Sequence, residues 1–188
     1  MNPTTFAAEY LADMGRLVAQ LDSQKIAQAA QWLSDAASQD KTIYACGNGG
    51  SASIASHMVV DMVKGASTGR TQRFKMIGLA DNVGTITAYA NDVSYESVFV
   101  EPLRNFARPG DVLIAISGGG NSPNVLRAVE YANSAGVRTV GLTTAQGGRL
   151  KDLAQLPLVV PSSHMGRLED NFFIMVHILC YTFMEKVL

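Results

Sequence analysis

The chain has 188 residues, the length of one ordinary domain, and 47% of them are apolar, enough to fill a core. Only 16% are charged, and 15 Lys and Arg stand against 16 Asp and Glu, so there is no basic footprint for nucleic acid. No run approaches the roughly eighteen apolar residues that span a bilayer, and the opening MNPTTFAAEYLADMG lacks a basic segment followed by an apolar one, so a cytoplasmic protein that does not engage a membrane is expected.

Phe6, Tyr10, Met14, Leu17 and Leu21 recur at steps of three and four, the mark of an amphipathic helix. Asp22 or Ser23 can cap a second helix running through Ile26, Ala30 and Leu33. Low charge with high apolar content implies that some helix faces are covered by other subunits, and residues 1–40 are the segment expected to contribute to a homo-oligomer. From there β-rich runs, TIYAC, FKMIGL, VLIAI, RTVGLT and PLVVP, alternate with helical patterns starting near Ser51, Val83, Asn124 and Gly147. In NDVSYESVFVEPLRNFARPGD, Pro102 should end or kink a helix near Glu101, leaving two short helical pieces. A long apolar helix is expected from about Gly166 to Val187. Strands separated by helices imply right-handed βαβ units and a parallel sheet covered on both faces, an α/β/α sandwich over residues 1–188.

Two strand-to-helix turns echo each other, in TIYACGNGGSASIASHMV and VLIAISGGGNSPNVLRAV. The first holds Gly47, Asn48, Gly49, Gly50 and Ser51; it lacks the third spaced glycine of the dinucleotide fingerprint and the Gly-Lys-Ser/Thr of the P-loop, so no nucleotide cofactor is expected. In the second, Gly118, Gly119 and Gly120 expose N–H groups, Ser117 and Ser122 add hydroxyls, and Pro123 suits a first helical turn. That describes a phosphate cradle without positive side chains; one such loop alone could equally be a capped turn, and its twin favours binding. Both belong beyond the carboxyl ends of strands, where open α/β sheets bind ligands.

His57 and Asp61, four residues apart, share a helix face; such a pair stabilises any helix, but here it interrupts the apolar SIASHMVVDMV, where polar groups need partners. His177 lies within the apolar C-terminal pattern, and periodicity favours a satisfied core histidine. Glu169 and Asp170 read as acids of a first helical turn. Eight residues place Glu169 and His177 about 12 Å apart along one continuous helix, so they can serve one small site only from opposite ends of a ligand, through a later helix start, or from two subunits. Cys46 and Cys180 have no metal-type spacing and read as small buried hydrophobes.

CGNGGS at Cys46–Ser51 with the downstream His57 and Asp61, AND at Ala90–Asp92, DVLIAISGGGNSPNVL from Asp111 and RLEDNFFIMVHIL from Arg167 together resemble the SIS (sugar isomerase) domain proteins, most closely the phosphoheptose isomerases, over essentially the whole chain. The resemblance implies a five-stranded parallel sheet of flavodoxin-like order with an N-terminal helical extension, and a homotetramer with sites near subunit interfaces. It also implies interconversion of sedoheptulose 7-phosphate and glycero-manno-heptose 7-phosphate through an enediol, a step toward bacterial surface heptose. By the same resemblance Asp61 and His177 are the acid–base pair. Ser51, Ser117, Ser122 and the N–H groups of Gly118, Gly119 and Gly120 take the phosphate, with Asn48, Gly49, Gly50, Asn82 and Glu169 also lining the substrate site. Some members carry zinc at positions matching His57, Asp61, Glu169 and His177.

The chain departs from that pattern at several of these positions. Asp61 stands where the family has Glu, Glu169 where it has Gln, Gly118 and Gly119 replace two hydroxyl residues of S-T-S-G-N-S, Gly65 stands for an arginine, and Asn82, beside Asp81, falls on an expected aspartate. These departures leave room for another phosphosugar. They also favour the rival expectation of a non-catalytic module that senses phosphosugars or binds a replication initiator, whereas His57, His177 and the carboxylate at 61 favour the isomerase.

Overall fold

The computed structural model describes residues 2–146 and 148–188. Two helices come first, α1 (Pro3–Val18) and α2 (Ser23–Ser38). Asn2 caps α1 by accepting from the Thr5 N–H, and Asp22 caps α2 by accepting from Gln24 and Lys25. Strands and helices then alternate: β1 (Thr42–Gly47), α3 (Gly50–Val60), β2 (Lys75–Gly78), α4 (Val83–Asp92), α5 (Val100–Phe106), β3 (Val112–Ile116), α6 (Pro123–Ser134), β4 (Arg138–Thr144), α7 (Arg149–Leu153), β5 (Leu156–Val160) and α8 (Met165–Met184). The helical pattern expected from Gly147 starts at a position outside the described residues; α7 begins at Arg149.

All five strands are parallel, in the order β2-β1-β3-β4-β5. The sheet therefore reverses direction at β1, whose neighbours are β2 on one side and β3 on the other. The inner strands are buried on both faces, as in a doubly covered parallel sheet, with β3 apolar throughout and β4 carrying buried Thr139 and Thr143 on one face. Alternate residues divide the core in two. Ile43, Ala45, Ile114, Ile116, Val140 and Leu142 face α2, α3 and α8, while Tyr44, Cys46, Leu113 and Ala115 face α5, α6 and α7.

One local expectation is revised, and two further features of the helices were not anticipated. Pro102 does not break a helix: α5 begins at Val100, so the proline sits in its first turn, where no N–H bond is lost, and the interruption falls earlier, at Val98 and Phe99 after a short turn at Tyr95–Ser97. The apolar stripe of α1 covers little of its own chain, because α1 lies along α8 rather than over the sheet and only Leu17 is buried. Finally, α3 does not end as an ordinary α-helix. At Asp61 it widens into one π-type turn, Asp61–Gly65, where a side chain at Gly65 would collide with Met184 of α8.

Candidate functional site

The first turn follows directly from glycine geometry. A Cβ on Gly47 would lie 2.8 Å from the backbone carbon of Ser51, and Gly49 sits at φ +56°, so the chain can leave β1 and enter α3 within three residues. Gly49 stands at the N-cap of α3 and supplies no side-chain cap; the Ser51, Ala52 and Ser53 N–H groups donate back to the Asn48 and Gly49 carbonyls, and among the described residues the Gly50 N–H is the one left for an external acceptor. Ser51, in the first turn, is buried. The second turn behaves alike. Ser122 occupies the N-cap of α6, yet among the described residues its hydroxyl does not cap; it faces the Ser117 hydroxyl at 3.2 Å. Gly120 requires its φ of +68°, while Gly119 has open space around its would-be Cβ among the described residues.

These turns leave adjacent strands at the point where strand order reverses, so two helix N-termini converge beyond the carboxyl edge. They are tied together. Asn48 and Asn124 exchange two amide hydrogen bonds, at 2.9 and 2.8 Å, and the Tyr95 hydroxyl meets Asn48 Oδ1 at 2.9 Å. The start of α8 closes over the same place: Met165 and Leu168 pack where a Gly118 side chain would go, and the Glu169 carboxylate lies against Gly50 at the N-terminus of α3. A carboxylate there is favoured by the helix dipole.

One to two turns along the helices a second group assembles. His57 Nε2 is 2.9 Å from His177 Nε2 and 3.4 Å from Asp61 Oδ2, and His177 Nε2 is 3.9 Å from that oxygen. Phe173 stands edge-on to the His57 ring at 5.5 Å between centroids. Periodicity favoured a core histidine at 177; instead its side chain is 46% exposed. The reason is that α8 has two apolar faces. Phe172, Met175, Val176, Leu179 and Cys180 turn to the sheet, and Phe173, His177, Ile178 and Tyr181 turn outward.

Two nitrogens and a carboxylate oxygen form a donor set suited to zinc. Tetrahedral bonds of about 2.05 Å put ligand atoms about 3.3 Å apart, close to the spacing of this trio. Glu169 is not among the three atoms that converge. Because α8 is continuous from Met165 to Met184, its helix start does not shorten the interval of about two turns between Glu169 and His177.

Asn82 is engaged locally. Its side chain accepts from Thr85 N and caps α4, whereas the neighbouring Asp81 accepts from the Ser56 hydroxyl on α3. Asp81, Ser56, Tyr95, Asn124 and Phe173 are thus part of the site's surroundings that sequence reasoning did not single out. For Asn124 the only signal was its place one residue past Pro123 in the second turn. Cys46 and Cys180 are both buried thiols; desolvation pushes each up to about 12, and the nearby Asp61 charge adds to the effect at Cys180. Neither is a nucleophile in the folded chain.

Residues 9–144 match the family model described as the SIS domain. The chain is 41% identical over 146 residues to the phosphoheptose isomerase of Nitratiruptor, covering 78% of each. Among solved structures it superposes on a phosphoheptose isomerase from Francisella tularensis with a TM-score of 0.91 at 27% identity, covering 98% of this chain and 100% of that one. The phosphoheptose isomerase structure from Neisseria gonorrhoeae gives 0.88 at 28% identity, covering 97% and 98%.

Proposed function

The chain belongs to the SIS domain family and to its phosphoheptose isomerases, and from that premise we propose that it interconverts sedoheptulose 7-phosphate and glycero-manno-heptose 7-phosphate. The observation that carries this reading is the pairing of an open two-turn anion cradle with the His57–Asp61–His177 group. The first suits a phosphate without charged side chains, and the second supplies a carboxylate and two imidazoles for proton transfer.

In the proposed reaction Asp61 takes a proton from C1 of the ketose. The C1–H electron pair forms the C1–C2 double bond of a cis-enediol while the carbonyl oxygen on C2 gains a proton. His177 then delivers a proton to C2 as the hydroxyl on C1 gives up its own and becomes the aldehyde oxygen. No proton or electron is gained or lost overall. A zinc ion held by His57, Asp61 and His177 would act as a Lewis acid toward sugar oxygens. The phosphate is assigned to Ser51, Ser117, Ser122 and the N–H groups of Gly118 and Gly119, the expected Gly120 N–H instead donating to the Ser117 carbonyl at 3.1 Å, with Asn48, Gly49, Gly50 and Glu169 toward the sugar. Asn82, which caps α4, is the weakest member of that set, and Asp81 is the nearer acid to α3.

We also assign a cytoplasmic homotetramer to this reading. Its support is the outward apolar faces of α1 and α8, with Leu11 71% exposed in the single chain, and the position of His177 beside Ile178 and Tyr181 on one such face. Among the described residues no helix is long and apolar enough to cross a membrane.

The test is product formation from purified protein and sedoheptulose 7-phosphate, followed by NMR, beside Asp61→Asn and His177→Ala. Loss of an acid or base should lower kcat by about 10²- to 10⁴-fold in each while phosphosugar binding persists. Wild-type protein that binds the phosphosugar without turning it over would instead establish a sensing module.

A further inference from the structure

The Asn48–Asn124–Tyr95 cluster has only one consistent assignment of its amides, and that assignment decides what Asn48 can offer a ligand. A backbone N–H can only donate, so the Val125 N–H, 3.0 Å from Asn124 Oδ1, fixes which end of the Asn124 amide is oxygen. That same oxygen faces Asn48 at 2.9 Å, and the facing atom must therefore be Nδ2. The second bond follows, Asn124 Nδ2 donating to Asn48 Oδ1 at 2.8 Å. The Tyr95 hydroxyl, 2.9 Å from that already accepting oxygen, must donate as well. Both lone pairs of Asn48 Oδ1 are then occupied, and one N–H of its Nδ2 is left over among the described residues.

We infer that Asn124 and Tyr95 are positioning residues that lock Asn48 as a pure hydrogen-bond donor, aimed at an acceptor oxygen of the bound sugar and unable to accept from a sugar hydroxyl. Asn124 is 1% exposed and cannot itself meet a ligand. Tyr95 is exposed, so its hydroxyl can be removed without cavity or strain. Both act through Asn48, and the effect falls on the sugar end, because the phosphate is assigned to donors of the second turn and of the helix N-termini. This inference rests on the proposed reading of Asn48 as a sugar contact.

The experiment compares wild-type protein, Tyr95→Phe and Asn124→Leu for affinity toward inorganic phosphate and sedoheptulose 7-phosphate by calorimetry, and for KM and kcat. In Tyr95→Phe the two Asn124 bonds still set the orientation of the Asn48 amide, but its Oδ1 regains a free lone pair and the side chain loses one of its three ties, so it is no longer a firmly held pure donor. Loss of one neutral hydrogen bond should weaken sugar-phosphate affinity and raise KM by about 3- to 10-fold in Tyr95→Phe, with phosphate affinity, kcat and thermal midpoint unchanged. Asn124→Leu should act in the same direction and more strongly; should it fail to fold, Tyr95→Phe carries the test. An unchanged ratio of the two affinities in Tyr95→Phe overturns the inference, as does an equal fall in both, which would make the cluster a brace for the loops. Wild-type protein that binds phosphate but neither binds nor converts sedoheptulose 7-phosphate overturns the proposed function and this inference with it.

Discussion

The glycines at 118 and 119 are not equivalent, although the sequence resemblance leads one to expect hydroxyl-bearing residues at both. A Cβ at Gly118 would lie 2.8 Å from Met165 Sδ, so the first turn of α8 has taken up that space. Gly119 has room among the described residues and no positive φ, so a serine fits there without strain. Gly119→Ser should restore one hydroxyl donor to the phosphate turn and lower KM for a phosphosugar by about 2- to 10-fold, the worth of one neutral hydrogen bond. Steady-state kinetics would show it, and a KM that does not fall would place the phosphate elsewhere. The histidine–carboxylate trio makes a separate prediction. If His57 Nε2, Asp61 Oδ2 and His177 Nε2 hold zinc, His57→Ala should weaken zinc binding by more than about 100-fold in calorimetry, beyond the roughly 10- to 100-fold that loss of an outer-shell partner costs. Equal affinity in wild type and variant would remove this group as the metal site.

The elements that matter most are the two glycine turns and the helices they launch. α3 carries His57 and Asp61 in its last α-helical turn and its π-type turn, so the angle at which it leaves β1 decides where both side chains stand. That angle depends on Gly47, whose added Cβ would press on the Ser51 backbone, which cannot swing away as a side-chain tip can. Gly47→Ala should cost about 1–3 kcal/mol of stability through overpacking, measured by chemical denaturation, and should reduce turnover more than the stability loss explains. On the far side of the site α8 provides His177 from its middle and Met165, Leu168 and Glu169 from its start. One helix thereby touches both the phosphate turn and the trio.

For the molecule as a whole, the separated chain leaves a large apolar surface unpaired. Phe6, Leu11 and Val18 of α1 and Ile178 and Tyr181 of α8 are exposed large hydrophobics, and the trio lies beside the latter two. For the proposed tetramer, light scattering should give a mass near four chains of 20.1 kDa. Leu11→Arg should shift the protein to smaller species that keep their helical circular dichroism, and turnover should fall with the tetramer. A Leu11→Arg variant of unchanged mass would show that α1 is not part of the assembly surface.

The periodicity of apolar residues was enough to read the five strands, the alternation of strand and helix and the parallel sheet, because buried strands of VLIAI type and capped helices such as α2 are set by local chemistry. The two strand-to-helix turns were legible as turns for the same reason, since glycines, serines and a proline at those spacings are local turn chemistry. His57 and Asp61 were legible as neighbours because four residues bring any two helix side chains together. What stayed hidden depends on packing between elements distant in the chain. His177 read as core because periodicity reports an apolar helix without saying which of its faces the sheet covers. Asn124 and Tyr95 read as ordinary loop and turn residues because their partner, Asn48, lies 76 and 47 positions away and meets them only when β1 and β3 stand side by side. Composition and spacing determine which groups are available; the folded sheet decides which of them meet, because hydrogen bonds and metal ligation act over about 3 Å and no sequence distance measures that.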